Sequence, residues 1–280
     1  CIANPAIIPW DEIWQSLGTP LSDATEEMQW RKLLHRGTFV RNRDPTNTDM
    51  RCRLCGRVTE SMLHTVECNV ARPYWDLVFK FIRDVLKHPN PIKRREAIIL
   101  NMWRASQLGS IVACAFIRHA YGCFYRDFTL VDTQGATFDH TFTFGRLMAN
   151  FRRAVVAFGE GLKRFHTSRM HTTLVDRLSD EDLMTYNMKF GTLIVIGPEL
   201  DYRLTAAFQA ACNRDKAAVK ARRAALKRAA AAQHQGGGAA PGPWAPQAGP
   251  GGRRWRWPRS RWPCRSRASP SPSPGWRRWM

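Results

Sequence analysis

The window "CRLCGRVTESMLHTVEC", residues 52–68, restricts what this chain can fold into more than any other stretch, because it gathers three of the eight cysteines and one of the eight histidines. Cys52-x2-Cys55 sets two thiolates across a tight turn, and Gly56 directly after it can take the positive φ that closes such a turn. His64 and Cys68 are four residues apart, so on a helix over residues 60–69 they share a face. Two ligands from a knuckle and two from a helix face complete a Cys3His tetrahedron. That set is typical of structural rather than catalytic zinc and leaves no open position for water or substrate. Soft thiolates with one imidazole favour Zn2+ over the hard cations. A bound zinc would contribute on the order of 10 kcal/mol to local folding. The alternative is a set of ordinary buried cysteines beside a satisfied core histidine.

Around this window the hydrophobic periodicity is mostly helical. Residues 1–22 read as an irregular lead-in with Trp10, Ile13 and Trp14. Asp23 with Glu26 suits a helix cap, opening a helix through Met28, Leu33 and Leu34 that stops at Gly37. "FVRNRDPTNTDM" reads as a loop. Pro73 suits a first turn, and Trp75, Val78, Phe79, Ile82, Val85 and Leu86 recur at three- and four-residue steps until Pro89 and Pro91 end the helix. "REAIILNMW" starts another helix. Leu108, Ile111, Val112, Ala115, Phe116, His119 and Cys123 lie on one face of a third, where His119 and Cys123 read as core rather than ligands. "FTLVDTQGATFDHTFTF" alternates and predicts a hairpin turning at Gly135. Leu147, Phe151, Val155, Phe158, Leu162 and Phe165 mark a long amphipathic helix whose other side carries Arg152, Arg153, Lys163 and Arg164; Arg169 extends this basic side. Ser179 caps a short helix through Met184. "TLIVI" (192–196) is a strand, and an Ala/Arg/Lys-rich helix follows from Leu204 to Ala232.

The formal net charge is +20 at a hydrophobic fraction of 44%. About 17 of the Lys and Arg residues, against the single acid Asp215, lie from Arg203 onward, so the excess belongs to the last quarter. Charge of this sign favours polyanions such as nucleic acid or an anionic membrane. The extreme tail interleaves Arg with Trp after a Gly/Pro-rich linker and cannot form a packed core, which predicts disorder. Its Arg and Trp could bind phosphates and unpaired bases, or insert at a membrane interface. The same bias is also what translation of GC-rich DNA in an unselected frame gives. No apolar stretch of spanning length is present. The chain starts at Cys1, which leads to the expectation of a fragment with an upstream part.

The stretch "WRKLLHRG" (30–37), "CRLCG" (52–56), "TES" (59–61), "LHTVEC" (63–68) and "ARPYW" (71–75), led by Trp14, resembles the zinc-binding region near the C-terminus of reverse transcriptases of non-LTR, LINE-type retroelements. The likeness covers about residues 10–86. Arg53 stands where the family usually has proline, and the gap from His64 to Cys68 is one residue shorter than in many members. The resemblance implies a zinc module that grips RNA or DNA beside a polymerase domain missing from this chain. Polymerase activity is not implied, because no Tyr/Phe-x-Asp-Asp pair is present. "YRDF" (125–128) has one carboxylate where two-metal chemistry needs clustered acids. "SDED" (179–182) is a capped helix start, and no glycine loop cradles phosphate.

Together these readings predict a mainly α chain: a small Cys3His zinc knuckle followed by a helical bundle, with a disordered basic tail. The expected divisions are a zinc module over 1–90, a helical domain with short β elements over 91–200, a basic Ala-rich helix over 201–234 and the tail over 235–280. The expected function is non-catalytic nucleic-acid binding by a partial or decayed copy of a retroelement protein. Cys52, Cys55, His64 and Cys68 would hold Zn2+, and Arg51, Arg53, Arg57, Arg72, Arg152 and Arg153 would meet phosphate. The alternative is a zinc-stabilised scaffold that docks a polymerase or another protein.

Overall fold

Residues 74–86, the strongest periodic stretch, become helix α4 (Arg72–Asp84) in the computed structural model, which describes residues 8–16, 21, 24–35, 37–43, 45–46, 48–134, 137–170, 179–198 and 201–235. Pro73 sits in the first turn, where its missing N–H leaves no helical bond unmade. Tyr74, Trp75, Val78, Phe79, Phe81 and Ile82 are buried along one side. Ahead of α4 come α1 (Trp10–Gln15), α2 (Ala24–Leu34) and α3 (Met62–Glu67). After it come α5 (Arg94–Leu100), ended by Asn101 in the left-handed region at φ +55°, and a two-stranded ribbon of β1 (Met102–Arg104) and β2 (Gln107–Leu108).

The core is organised by α6 (Ile111–Gln134), which packs against α2, α4, α5, α7 (His140–Met170) and α8 (Asp180–Phe190). Phe81 stacks on Phe116 with centroids 4.5 Å apart, and Phe116 and Phe208 both meet Phe151 edge-on. The Tyr74 hydroxyl donates to the Ala120 carbonyl at 2.7 Å, tying α4 to α6. Arg118 is buried on α6, and its Nη1 donates to the Ser16 carbonyl at 2.7 Å beneath the Trp30 ring. His119 is a core residue, as expected: it is 1% exposed and its Nε2–H donates to the Leu21 carbonyl at 2.6 Å. Cys123 is also buried. Antiparallel β3 (Ile194–Ile196) and β4 (Tyr202–Leu204) lead to α9 (Ala206–Gln235).

The fold is mainly helical, as the periodicity predicts, with local corrections, among them Leu108, expected on the helix of Ile111 to Cys123 but part of β2. The lead-in holds a helix, α1. The expected hairpin over "FTLVDTQGATFDHTFTF" is instead the end of α6 and the start of α7. Phe124 and Phe128 continue the four-residue step of Phe116 and Ala120 into the core, and Asp139 opens α7 by accepting the N–H groups of Thr141 and Phe142 at 3.0 and 3.1 Å. Tertiary burial and a cap thus override the β propensity of the Thr and Phe residues. Ser179 caps α8 through the Asp182 N–H at 3.1 Å. Asp23, Gly135, the side chains of Glu26, Lys163, Arg164, Phe165 and Arg169, and the Arg/Trp tail lie outside the described residues.

Contacts divide the chain into two compact units, Cys1–Ala221 and Arg222–Met280. The boundaries expected near residues 90 and 200 both fall inside the first unit, because α6 packs on helices from either side of residue 90. The second unit is described only as far as Gln235 and is helical there. Among the described residues no helix is long and apolar enough to cross a membrane.

Candidate metal centre

The knuckle is a short antiparallel turn. Arg51 pairs with Thr59, the Cys52 N–H donates to the Val58 carbonyl at 2.7 Å, and the Glu60 N–H donates to the Met50 carbonyl at 2.7 Å. At its tip the Gly56 N–H donates to the Cys52 carbonyl at 2.7 Å, and Gly56 takes φ +64°, a value an L side chain resists. Ser61 then caps α3, its hydroxyl accepting the His64 N–H at 3.1 Å. The helix is shorter than the expected 60–69. Cys68 stands just past its end in extended backbone, and the Cys68 carbonyl accepts the N–H groups of Ala71 and Arg72 at 2.9 Å each. Cys68 is therefore the joint between α3 and α4.

These elements bring Cys52, Cys55, His64 and Cys68 together, with all four donor atoms within 4.8 Å of one another. Cys52 Sγ and Cys68 Sγ are 3.9 Å apart, and Cys55 Sγ and His64 Nε2 are 3.4 Å apart. A tetrahedron built on zinc–sulfur and zinc–nitrogen bonds has edges of about 3.6 to 3.8 Å. The four side chains can hold a metal ion of that size, and the donor set is one that soft or borderline cations prefer.

Backbone amides offset part of the cost of charge on two of the sulfurs. The N–H groups of Leu54 and Cys55 bond to Cys52, and those of Val70 and Ala71 bond to Cys68, each lowering the cost of a thiolate. The two buried sulfurs also share a hydrogen bond. It pushes the Cys52 thiol up, an effect burial reinforces, and draws the Cys68 thiol down. A cation would replace the shared proton.

Glu60 is the residue the sequence reading missed. It is fully buried directly after the knuckle. Its carboxylate accepts Arg53 Nε at 2.9 Å, Arg53 Nη2 at 2.7 Å, the Arg53 N–H at 3.0 Å and the Arg41 N–H at 2.8 Å. A signal was present, since Glu60 is the one acid over residues 50–66, a stretch with three arginines. The same contacts correct the expectation for Arg53. Its side chain is 3% exposed and its guanidinium lies 4.4 Å from the Phe128 ring centroid on α6, so it braces the knuckle against the core and does not meet phosphate.

The remaining arginines are accessible. Arg51 is exposed and pairs with Asp49 at 2.9 Å, holding that carboxyl down to about 2. Arg57 lies exposed on the knuckle loop, and Arg72 is exposed in the first turn of α4. Arg72 lines a cleft of about 440 Å³ with Lys93, Arg94, Arg95 and Glu67, so the sequence reading missed three further basic residues on that wall. Arg152 and Arg153 are both exposed on α7 but point apart: Arg153 lines a groove beside α6, while Arg152 acts on Cys212 of α9.

Compared with known protein families, with curated proteins and with solved structures, the chain finds no match in any of the three.

Proposed function

We propose that this chain is a non-catalytic nucleic-acid-binding module whose knuckle holds Zn2+ through Cys52, Cys55, His64 and Cys68. We further propose that it derives from the C-terminal part of a retroelement-type reverse transcriptase, as a partial or decayed copy. The observation that carries the reading is the convergence of three sulfurs and one imidazole nitrogen within 4.8 Å. Such a set fills zinc's four positions, so the ion would supply rigidity and no chemistry. The cationic cleft that starts at Arg72, four residues beyond Cys68, supports a phosphate-binding role for the surface beside the ion. RNA or DNA is the partner this chemistry fits, with a polymerase domain as a second partner in the intact source protein. Among the described side chains of α7, Leu147, Phe151, Val155, Phe158 and Leu162 are all spent on the core, which gives the scaffold alternative no support there.

The test is a metal analysis of the purified chain followed by titration of labelled RNA and DNA at several salt concentrations, before and after chelation. The expected result is one zinc per chain and a salt-dependent affinity that drops on chelation. A chain that takes up no zinc, or that binds neither nucleic acid, overturns the reading.

A further inference from the structure

A second cleft, lined in part by α6, is remote in sequence from the knuckle. It has a volume of about 700 Å³ and runs between α2, α6 and α7. Arg126 of α6 and Arg146 and Arg153 of α7 stand on its walls, and no carboxylate does. The nearest acid, Asp127, pairs with Arg146, which leaves Arg126 and Arg153 with no carboxylate partner among the described residues. Gln29 of α2 adds an amide group that can both donate and accept, while the Asn150 amide of α7 is engaged, its Oδ1 accepting from Arg153 Nη2 and its Nδ2 donating to Cys123 Sγ at 3.5 Å. Gly122, Ala154 and Ala157 keep the floor low.

Two guanidiniums with no carboxylate partner among the described residues, beside a third held by Asp127, are the chemistry of anion recognition. Arg126 and Arg153 stand on different helices, an arrangement suited to two phosphates of one strand rather than one. The Gln29 amide on the α2 wall matches the polar edge of a base rather than more phosphate. A cleft of this size and depth takes a few linked nucleotides but not a duplex.

We infer that the α2–α6–α7 groove is a binding site for single-stranded nucleic acid, with Arg126 and Arg153 on successive phosphates and Arg146 held between them by Asp127. The site rests on the nucleic-acid reading above and extends it to a second surface, linked to the knuckle through α6, which carries both Phe128 under Arg53 and Arg126 in the groove.

The experiment uses the zinc-loaded full chain and a fluorescein-labelled single-stranded oligonucleotide of mixed sequence, titrated by anisotropy across a range of salt. Arg126 and Arg153 are exposed, so their substitution leaves the fold intact, which circular dichroism verifies. R126A/R153A is expected to lose at least about tenfold in affinity and to flatten the slope of log affinity against log salt by about two. R126K/R153K should keep most of that slope, because charge rather than shape sets it. If R126A/R153A binds like the parent while R57A/R72A is weakened, the groove is overturned and the knuckle reading stands. Equal competition by duplex DNA also overturns the groove. A parent chain that binds no oligonucleotide overturns both.

Discussion

Glu60 shows how much one buried carboxylate can decide. With Arg53 and the Arg41 N–H removed from water around it, its replacement by alanine strands a buried guanidinium and an orphaned amide. Glu60→Ala is expected to destabilise the protein by about 3–5 kcal/mol in urea denaturation, whereas adding Arg53→Met should restore a large part, since the charge that needed a partner is then gone. Asp215 on α9 gives a prediction of opposite sign. Burial pushes its carboxyl up to about 6, against a cation, Arg214, that only partly offsets it. The folded state therefore holds this proton more tightly than the unfolded one. The carboxyl's unfavourable contribution is absent below pH 4, grows as pH rises towards 6, and is complete above that. Asp215→Asn should thus stabilise the chain at pH 7.5, by about 1 kcal/mol once solvent screening at this half-exposed site is allowed for, and should change nothing at pH 3.5. Melting curves at the two pH values give the comparison.

Elements were legible where one pattern ruled and illegible where two competed. The three- and four-residue steps of Trp75, Val78, Phe79 and Ile82 specify α4 without ambiguity, and Ser179 marks the start of α8. At residues 128–144 alternating Thr and Phe argue for strands, while Phe124 and Phe128 argue for one more turn of helix. Only the ring cluster of Tyr74, Trp75, Phe124 and Phe138, assembled from segments far apart in sequence, decides for the helix. The Cys3His cluster was legible because its spacing is local. Glu60's role was not, because a carboxylate's partner cannot be read from its neighbours. Close approach between elements is equally hidden: the β3–β4 ribbon lays Tyr202 on α7 at Gly159, where an added Cβ would stand 2.7 Å from the ring, and the Tyr202 hydroxyl donates to Glu160 at 2.7 Å. Gly159→Ala gains helix propensity yet should lose about 1–3 kcal/mol of stability, because the ring must shift and break that bond. The sign of the change in thermal midpoint distinguishes packing from propensity.

For the whole molecule, the question is how far the metal centre and the helical core depend on each other. Over residues 52–68 few apolar side chains are buried, chiefly Met62 and Val66 beside the two cysteines, so this segment has little reason to stay folded without its ion. The core needs no ion: α2, α4, α5, α6 and α7 bury one another through aromatic and aliphatic contacts. The tethers between the two include Arg53 over Phe128, the packing of α3 on α5 with Glu67 paired to Arg95 at 3.4 Å, Tyr125 bonded to the Phe39 backbone, and Thr38 facing Tyr121. Chelation should therefore melt the knuckle and leave most of the helix in place, giving a lower first transition on heating while far-ultraviolet circular dichroism at 25 °C changes little. Thiol counting offers an independent readout. Cys114, Cys123 and Cys212 are buried in the core, while Cys52, Cys55 and Cys68 lie in the knuckle, where a bound ion would shield them. Exposure of the native protein to a chelator should raise the number of rapidly reacting thiols by three, and added Zn2+ should reverse it. A rise that includes the core cysteines would mean instead that the ion supports the entire first unit, and the boundary between a metal-dependent knuckle and a self-sufficient core would have to be withdrawn.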